Sequence, residues 1–205
     1  MRVGIFGGTF DPPHLGHLIP VEVAAAEFRL DHVYFVPAYV PPHKRHDDLT
    51  DGYHRAAMLA LALQRYPKFI LSTKELLKAD VVFTVETVED FKRSLSREDQ
   101  LYLLMGTDSF LELQSWRAYD RLIQLCELIM INRGTREEEL RESLKQLETI
   151  LHLDLSKTVH FCRTPQIPVS ATRIRHAIRE GKSVSTMLLP EVETYIHKHS
   201  LYQRR

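Results

Sequence analysis

The sequence predicts an α/β fold in which a doubly wound, mostly parallel sheet lies between helices, with a small helical portion at the C-terminal end. The main observation is an alternation along the chain, because short runs rich in β-branched and aromatic residues are separated by longer segments of helical periodicity. No internal repeat or low-complexity tract interrupts this alternation. A chain of 205 residues is close to the usual domain size of about 100–200 residues, so we expect one domain over residues 1–205.

Each predicted strand is a short apolar run. The six runs are Val3–Phe6, His32–Pro37, Phe69–Ser72, Tyr102–Met105, Leu128–Asn132 and Val159–Cys162. Helical periodicity predicts helices at Val21–Leu30, Tyr53–Gln64, Thr84–Ser94, Phe110–Leu125 in two pieces, Thr135–Ile150 and Ser170–Glu180.

Capping residues and prolines predict several helix boundaries. Thr50 or Asp51 is expected to cap the second helix. Pro190 suits the first turn of a final helix. Pro20 is tolerated only within about the first helical turn, so the first regular helix should begin close to His17.

Composition excludes two classes of function. Lys plus Arg and Asp plus Glu each number 27, so the chain has no overall positive field with which to hold a nucleic acid. No apolar run approaches the roughly 18 residues of a membrane span, and the first residues lack a signal sequence. We therefore expect a cytoplasmic protein, and a homo-oligomer is compatible with the sequence. Cys126 and Cys162 lie among apolar residues, which predicts buried free thiols.

The first candidate site follows the first strand directly, in the run Gly7-Gly-Thr-Phe-Asp-Pro-Pro-His-Leu-Gly-His17. Ligands of open parallel sheets bind where a strand passes into a helix. Adjacent glycines permit positive φ and a close approach of the backbone to a phosphate, and a helix start presents unpaired N–H groups. This location favours a nucleotide. The run contains neither a phosphate-binding G-x-x-x-x-G-K-[ST] loop nor a G-x-G-x-x-G turn.

Two imidazoles distinguish this run. His14 and His17 are spaced i,i+3, which places both rings on one side of a first helical turn, and Gly16 between them leaves that side open. Such rings can donate hydrogen bonds to phosphate oxygens as charge develops during phosphoryl transfer. The alternatives are a capping and a core histidine, or a metal pair. The glycine turn, the helix start and the position after the strand favour phosphate binding.

A second anion site is predicted at Ser170-Ala-Thr-Arg-Ile-Arg175, where Ser170 is the expected N-cap. Arg173 and Arg175 lie roughly 200° apart around a helix, so only one of them should face a given phosphate. Geometry alone does not select between them. The alternative is an ordinary capped helix on the surface.

Two further candidates lie in the middle of the chain. Gly106 and Asp108 follow the strand Tyr102–Met105, and an aspartate there can accept hydrogen bonds from ribose hydroxyls or help to place a metal ion. Trp116, the single tryptophan of the chain, has polar neighbours, and either stacks on a flat ligand or packs in the core.

At these residues the chain resembles a known family. Gly7–His17 is similar to the signature of the HxGH nucleotidylyltransferase superfamily, and Phe10-Asp-Pro-Pro-His14 resembles the bacterial nicotinate-nucleotide adenylyltransferases. The resemblance implies a Rossmann-like nucleotidylyltransferase fold and transfer of AMP from ATP to nicotinate mononucleotide. The products would be nicotinate adenine dinucleotide, a precursor of NAD, and pyrophosphate, with Mg²⁺ accompanying ATP.

The resemblance also implies a role for each matching residue. The family's Ile-Ser-(Ser/Ala)-Thr-x-Ile-Arg segment leaves Arg173 at a variable position and assigns the phosphate role to Arg175. The implied catalytic residues are His14, His17 and Arg175. The implied ATP-binding residues are Gly7, Gly8, Thr9, Phe10, Gly106, Asp108, Ser170 and Thr172. The implied acceptor-binding residues are Lys44, Thr84, Trp116 and Arg133.

The acceptor side contains one departure from the family. Val82 and Phe83 replace the Ser-Tyr of the family segment Ser-Tyr-Thr-x-x-Thr, so one tyrosine hydroxyl is lost before Thr84. His43 and His46 could suggest a metal pair, but the basic residues between them would repel a cation, and we predict no metal site in the protein.

The same residues bear on three alternative functions. Transfer to phosphopantetheine is disfavoured, because that family carries Thr where His14 stands. Transfer to nicotinamide mononucleotide stays open, since acid and amide differ by a few polar contacts. A non-catalytic nucleotide sensor would be expected to lose one of the paired histidines or Arg175, and all three are present.

Overall fold

The computed structural model describes residues 1–40, 49–78, 80–132 and 137–203. Its strands are β1 (Arg2–Gly8), β2 (His32–Pro37), β3 (Phe69–Leu71), β4 (Gln100–Gly106), β5 (Glu127–Asn132) and β6 (Val159–Arg163). Its α-helices are α1 (Leu15–Glu27), α2 (Gly52–Leu63), α3 (Lys74–Lys78), α4 (Thr84–Ser94), α5 (Thr107–Leu111), α6 (Tyr119–Leu125), α7 (Glu137–Leu151), α8 (Ala171–Arg179) and α9 (Pro190–Lys198).

The strands form one six-stranded parallel sheet in the order β3-β2-β1-β4-β5-β6. Val3 lies opposite Leu101 in the β1–β4 pair, and Leu128 lies opposite Val159 in the β5–β6 pair. The strand order reverses direction between β1 and β4, and the carboxyl ends of the strands on either side of such a point are where open α/β sheets bind ligands. The predicted doubly wound fold is confirmed.

Within the chain, two compact units can be distinguished. The first consists of Met1–Gly7, Pro20–Val33 and Phe83–Gln166. It contains the buried apolar residues of β1, β4 and β5, which form its core. The second consists of Gly8–Ile19, Tyr34–Val82 and Ile167–Arg205. In it α2 packs against α9, with Met58, Leu59, Val192 and Ile196 buried. The expectation of one domain over residues 1–205 stays a prediction.

Most predicted helix boundaries lie within two residues of those in the structure, whereas α1 differs at both ends and α5 begins at Thr107 rather than at Phe110. Asp51 caps α2, because its carboxylate accepts a hydrogen bond from the N–H of Tyr53 at 2.8 Å. Helix α1 begins at Leu15, earlier than predicted, so Pro20 lies inside the helix rather than in its first turn. The five-residue helix α3 was missed, because so short a segment shows too little periodicity to be recognised.

Two expectations about location and thiols can be compared with the structure. No helix among the described residues is long and apolar enough to cross a membrane, and the cytoplasmic location stays a prediction. Cys126 and Cys162 are buried free thiols, as predicted. Burial raises the pKa of each thiol to about 12, which keeps both protonated at neutral pH.

Candidate active site

The paired histidines lie at the start of α1, in the part that belongs to the second unit: His14 directly precedes the helix and His17 is in its first turn. The carbonyl of His14 accepts from the N–H of His17 at 2.8 Å, and Nδ1 of His17 accepts in return from the N–H of His14 at 3.3 Å. A side chain at the third helical position that bonds back to the cap residue is the reciprocal arrangement of a capping box. Because Nδ1 of His17 is an acceptor, the neutral ring carries its proton on Nε2. That nitrogen can donate to a ligand.

The two imidazole rings lie against each other. Their centroids are 3.7 Å apart and their planes differ by 21°, so they act as one stacked pair. His14 is buried, with 3% of its surface exposed, whereas His17 is half-buried. The i,i+3 spacing therefore places both rings on one side of the helix start. Their phosphate-binding roles stay a prediction.

The turn before the histidines is shaped by Phe10 rather than by its glycines. Phe10 adopts a φ of 50°, a left-handed conformation that costs a residue with a side chain on the order of 1–3 kcal/mol. Its ring is buried and packs 5.8 Å from the ring of Phe35 and 5.1 Å from that of His17, between centroids. Gly7 and Gly8 permit positive φ but do not adopt it. Burial of the Phe10 ring offsets the strain instead.

Gly16 lets the start of α1 approach the segment that leads into α8. A Cβ placed on Gly16 would lie 3.1 Å from Cε1 and Nδ1 of His14 and 3.2 Å from the carbonyl oxygen of Val169. Leu15 adds a direct link, because its N–H donates to the carbonyl of Met187 at 3.1 Å. A side chain at position 16 would therefore push residues 10–17, hereafter the histidine turn, away from the loop before α8.

Helix α8 begins as the sequence predicts, and its two arginines point to different partners. Ser170 is the N-cap and accepts from the N–H of Arg173 at 3.2 Å. The Arg173 side chain turns back to the carbonyl of Pro168 at 3.0 Å. The Arg175 side chain donates from Nη1 to the backbone carbonyl of Asp11 at 2.7 Å, and from Nη2 to Oγ1 of Thr172 at 3.4 Å. Arg175 is thus the arginine that contacts the histidine turn.

The carboxylate of Asp11 is buried beneath this contact, with 2% of the residue exposed. Its Oδ1 accepts from the hydroxyl of Tyr202 at 2.6 Å, and its Oδ2 accepts from the N–H of Thr50 at 3.2 Å. Burial, and then the nearby Asp11 charge, raise the pKa of the Tyr202 hydroxyl well above its usual range. Tyr202 is therefore a neutral donor to a buried anion.

Arg55 is a buried cation that ties the loops of this unit together, with 1% of its surface exposed. It donates four hydrogen bonds of 2.6–2.9 Å, all to backbone carbonyls, from Nε, Nη1 and Nη2. Burial lowers the pKa of the guanidinium, and the Asp11 charge opposes that shift. The carbonyls belong to Thr9, Ala38, Tyr39 and Thr50.

The first unit contains five of the other predicted residues that the structure describes, namely Gly7, Thr84, Gly106, Asp108 and Trp116. Gly106 caps α5, and Asp108 is exposed in the first turn of that helix. A Cβ on Gly7 or on Gly106 would meet no atom within 4 Å, so the backbone is accessible at both. Thr84 begins α4 and is half-buried.

Trp116 was expected either to stack on a flat ligand or to pack in the core, and its surroundings fall between the two. Its side chain is half-buried, which differs from the full burial of a core tryptophan. The next residue, Arg117, places its guanidinium carbon 4.6 Å from the ring centre of Phe83, a cation–π contact at the position where the family has tyrosine. The ligand contacts of Thr84 and Trp116 stay predictions.

Two predicted residues, Lys44 and Arg133, lie outside the described residues, as do His43 and His46. Sequence reasoning in turn missed Asp11, Arg55 and Tyr202. Asp11 stands inside the first motif, but nothing local indicates its partners. Tyr202 is 191 residues away from it along the chain, and Arg55 is a single arginine on the buried face of a helix.

A family model and individual relatives were compared with this chain, and they agree on its family. The cytidylyltransferase-like family matches residues 5–177. The nicotinate-nucleotide adenylyltransferase of Bacillus subtilis (strain 168) is 32% identical to this chain, covering 98% of both. A protein of Thermoanaerobacter sp. (strain X514), named a probable nicotinate-nucleotide adenylyltransferase, is 35% identical and covers 100% of this chain and 95% of its own.

Solved structures agree at the level of the fold. Nicotinic acid mononucleotide adenylyltransferase of Plasmodium falciparum, complexed with APC, superimposes with a TM-score of 0.76 at 17% identity, covering 98% of this chain and 96% of that one. The same enzyme complexed with NaAD gives a TM-score of 0.75 at 18% identity. The sheet and helices described above are therefore arranged as in those two structures.

Proposed function

Because this chain belongs to the nicotinate-nucleotide adenylyltransferase family, we propose that it transfers AMP from ATP to nicotinate mononucleotide in the biosynthesis of NAD. The observation that carries the proposal is the hydrogen bond from Arg175 to the carbonyl of Asp11. It joins the start of α8 to the histidine turn, so that two helix beginnings present donors to one region of the second unit. A triphosphate is the anion that such paired donors suit.

The proposed reaction is an in-line displacement at phosphorus. An oxygen of the 5′-phosphate of nicotinate mononucleotide attacks the α-phosphorus of ATP, the bond to the α,β-bridging oxygen breaks, and pyrophosphate leaves with its electron pair. The attacking phosphate is already an anion, so no strong general base is needed. Positioning and stabilisation of charge supply the catalysis.

In this proposal the histidine pair and Arg175 act on the phosphates. Nε2–H of His17 donates to a phosphate oxygen whose charge grows in the transition state. His14, stacked on His17 at 3.7 Å, holds that ring in place and donates beside it. Arg175 supplies a permanent positive charge, with Ser170 and Thr172 as hydroxyl donors at the same helix start.

Magnesium enters the proposal as part of the substrate, bound to ATP. It supplies positive charge to the leaving pyrophosphate. Both carboxylate oxygens of Asp11 already accept hydrogen bonds, from Tyr202 and Thr50. Asp11 is therefore not assigned as a ligand of that ion.

The acceptor is tested by one series of incubations. The purified chain is mixed with ATP and Mg²⁺ and with nicotinate mononucleotide, nicotinamide mononucleotide or phosphopantetheine, and release of pyrophosphate is followed. We expect turnover with nicotinate mononucleotide and formation of nicotinate adenine dinucleotide. Faster turnover with the amide would reassign the acceptor, and binding of ATP without turnover of any acceptor would favour a nucleotide sensor.

A further inference from the structure

We propose that Tyr202 is a positioning residue that keeps the buried carboxylate of Asp11 from capturing Arg175. The inference rests on the proposed function, in which the charge of Arg175 holds the phosphates of ATP. It concerns a residue near the C-terminal end of the chain that lies outside both phosphate-binding motifs.

The two groups of Asp11 have different partners. Its backbone carbonyl accepts from Arg175 at 2.7 Å, whereas its carboxylate accepts from two neutral donors, Tyr202 and Thr50. Among the described residues, Arg175 donates only to this carbonyl and to the hydroxyl of Thr172. The guanidinium is thus oriented by Asp11 without forming an ion pair with it.

An ion pair between Arg175 and the Asp11 carboxylate would compete with this arrangement. A guanidinium and a carboxylate form short, charge-assisted and often bidentate hydrogen bonds, and the side chain of Arg175 is already in contact with the same residue. An Arg175 paired with Asp11 would have its charge neutralised and its donors turned away from a phosphate. A carbonyl oxygen orients the guanidinium and leaves its charge available.

The hydroxyl of Tyr202 occupies Oδ1 of the Asp11 carboxylate. At 2.6 Å from Oδ1, it is a short hydrogen bond to a charged acceptor, among the stronger bonds a neutral group can make. The N–H of Thr50 occupies Oδ2. Without the Tyr202 hydroxyl, Oδ1 would be buried without that donor, and rotation of Arg175 toward it becomes favourable.

The test compares Tyr202→Phe with Tyr195→Phe. Tyr195 is a matched control, because it belongs to α9 and its hydroxyl bonds to a side chain, Nδ1 of His54 at 3.0 Å, away from Asp11. We expect Tyr202→Phe to lower kcat/KM for ATP on the order of ten- to a hundredfold, by a rise in KM for ATP and a fall in kcat. KM for nicotinate mononucleotide should change less than about twofold, and Tyr195→Phe should behave as wild type.

A second substitution separates this mechanism from a loss of structure. In Asp11→Asn/Tyr202→Phe the competing charge is gone, and the amide oxygen can still accept from the N–H of Thr50. The double variant should recover most of the lost kcat/KM. A purely structural role predicts that two substitutions are worse than one. If Tyr202→Phe does not fold, it is compared in the Asp11→Asn background, where it should change kcat/KM less than about twofold.

Binding of inorganic triphosphate with Mg²⁺, measured by titration calorimetry, keeps the inference separate from the proposed reaction. Tyr202→Phe should weaken this binding about tenfold, and Tyr195→Phe should not. Wild type that binds triphosphate but turns over no acceptor would refute the proposed function and leave this inference standing. Equal binding by both variants, or a double variant less active than Tyr202→Phe, would overturn the inference.

Discussion

Replacement of Gly16 by alanine tests whether the close approach of the histidine turn to the α8 loop matters for catalysis. The new Cβ would lie 3.1 Å from two atoms of the His14 ring and 3.2 Å from the Val169 carbonyl, a few tenths of an ångström inside the usual carbon contact distance of about 3.5 Å. The ring is stacked on His17 and the carbonyl is backbone, so neither can move alone. The histidine turn as a whole must shift.

The magnitude follows from two opposing effects. Overpacking costs about 1–3 kcal/mol, and alanine in place of glycine near a helix start returns about 0.5–1 kcal/mol. Mid-range values of the two effects leave a net loss of unfolding free energy of about 1 kcal/mol, which lowers Tm by about 2–4 °C for a chain of this size. Displacement of the imidazoles by a few tenths of an ångström should lower kcat on the order of tenfold.

The assay is steady-state release of pyrophosphate together with thermal unfolding. Gly52→Ala is the control, because Gly52 also begins a helix, but its added Cβ would meet Cδ2 of Leu76 at 3.0 Å, the end of a flexible side chain that can rotate away. That variant should keep the kcat of wild type. Gly16→Ala with unchanged kcat and a Tm at or above that of wild type would refute the reasoning.

Three further predictions concern His17, Arg55 and the thiols. His17→Ala should lower kcat on the order of 10²–10³-fold, the usual effect of removing one transition-state donor, with Tm within a few degrees; near-normal turnover would remove His17 from the mechanism. Arg55→Lys should lower the unfolding free energy in urea by about 2–3 kcal/mol, because an ammonium cannot donate to all four carbonyls. The control Arg65→Lys, at an exposed arginine, should change it by less than about 0.5 kcal/mol. Equal effects of the two substitutions would contradict the structural role of Arg55. Both cysteines should resist a disulfide reagent at pH 8 until the chain unfolds, since their pKa values are raised to about 12. Because an unfolded thiol loses its proton from about pH 8.5, the unfolding free energy should fall as pH rises above that value. Rapid labelling of the native protein would show that burial does not protect them.

The sheet could be predicted from the sequence because its strands are local features. Each of the six runs is short and mostly apolar. The strand His32–Pro37 and the helix Thr84–Ser94 were predicted with the bounds that the structure shows. Caps at Asp51 and Ser170 were recognisable for the same reason. The side chain of a cap bonds within three residues of itself, so its signal is contained in the sequence around it.

The contacts that hold the candidate site in place could not be predicted, because they join segments that are distant in the sequence. The resemblance favoured Arg175 over Arg173, but not that its partner is a carbonyl 164 residues away. Asp11 and Tyr202 meet only when the segment after α9 returns to the histidine turn. The positive φ of Phe10 was also missed. Local preference assigns that conformation to glycine, and the exception is explained by packing of the Phe10 ring against Phe35 and His17.

The central claim is that the histidine turn and the start of α8 hold the phosphates of one ATP molecule. Determination of the crystal structure with a non-hydrolysable ATP analogue and Mg²⁺ tests this claim most directly. We predict phosphate oxygens within about 3 Å of Nε2 of His17 and of the Arg175 guanidinium. A triphosphate bound away from both side chains would contradict the account.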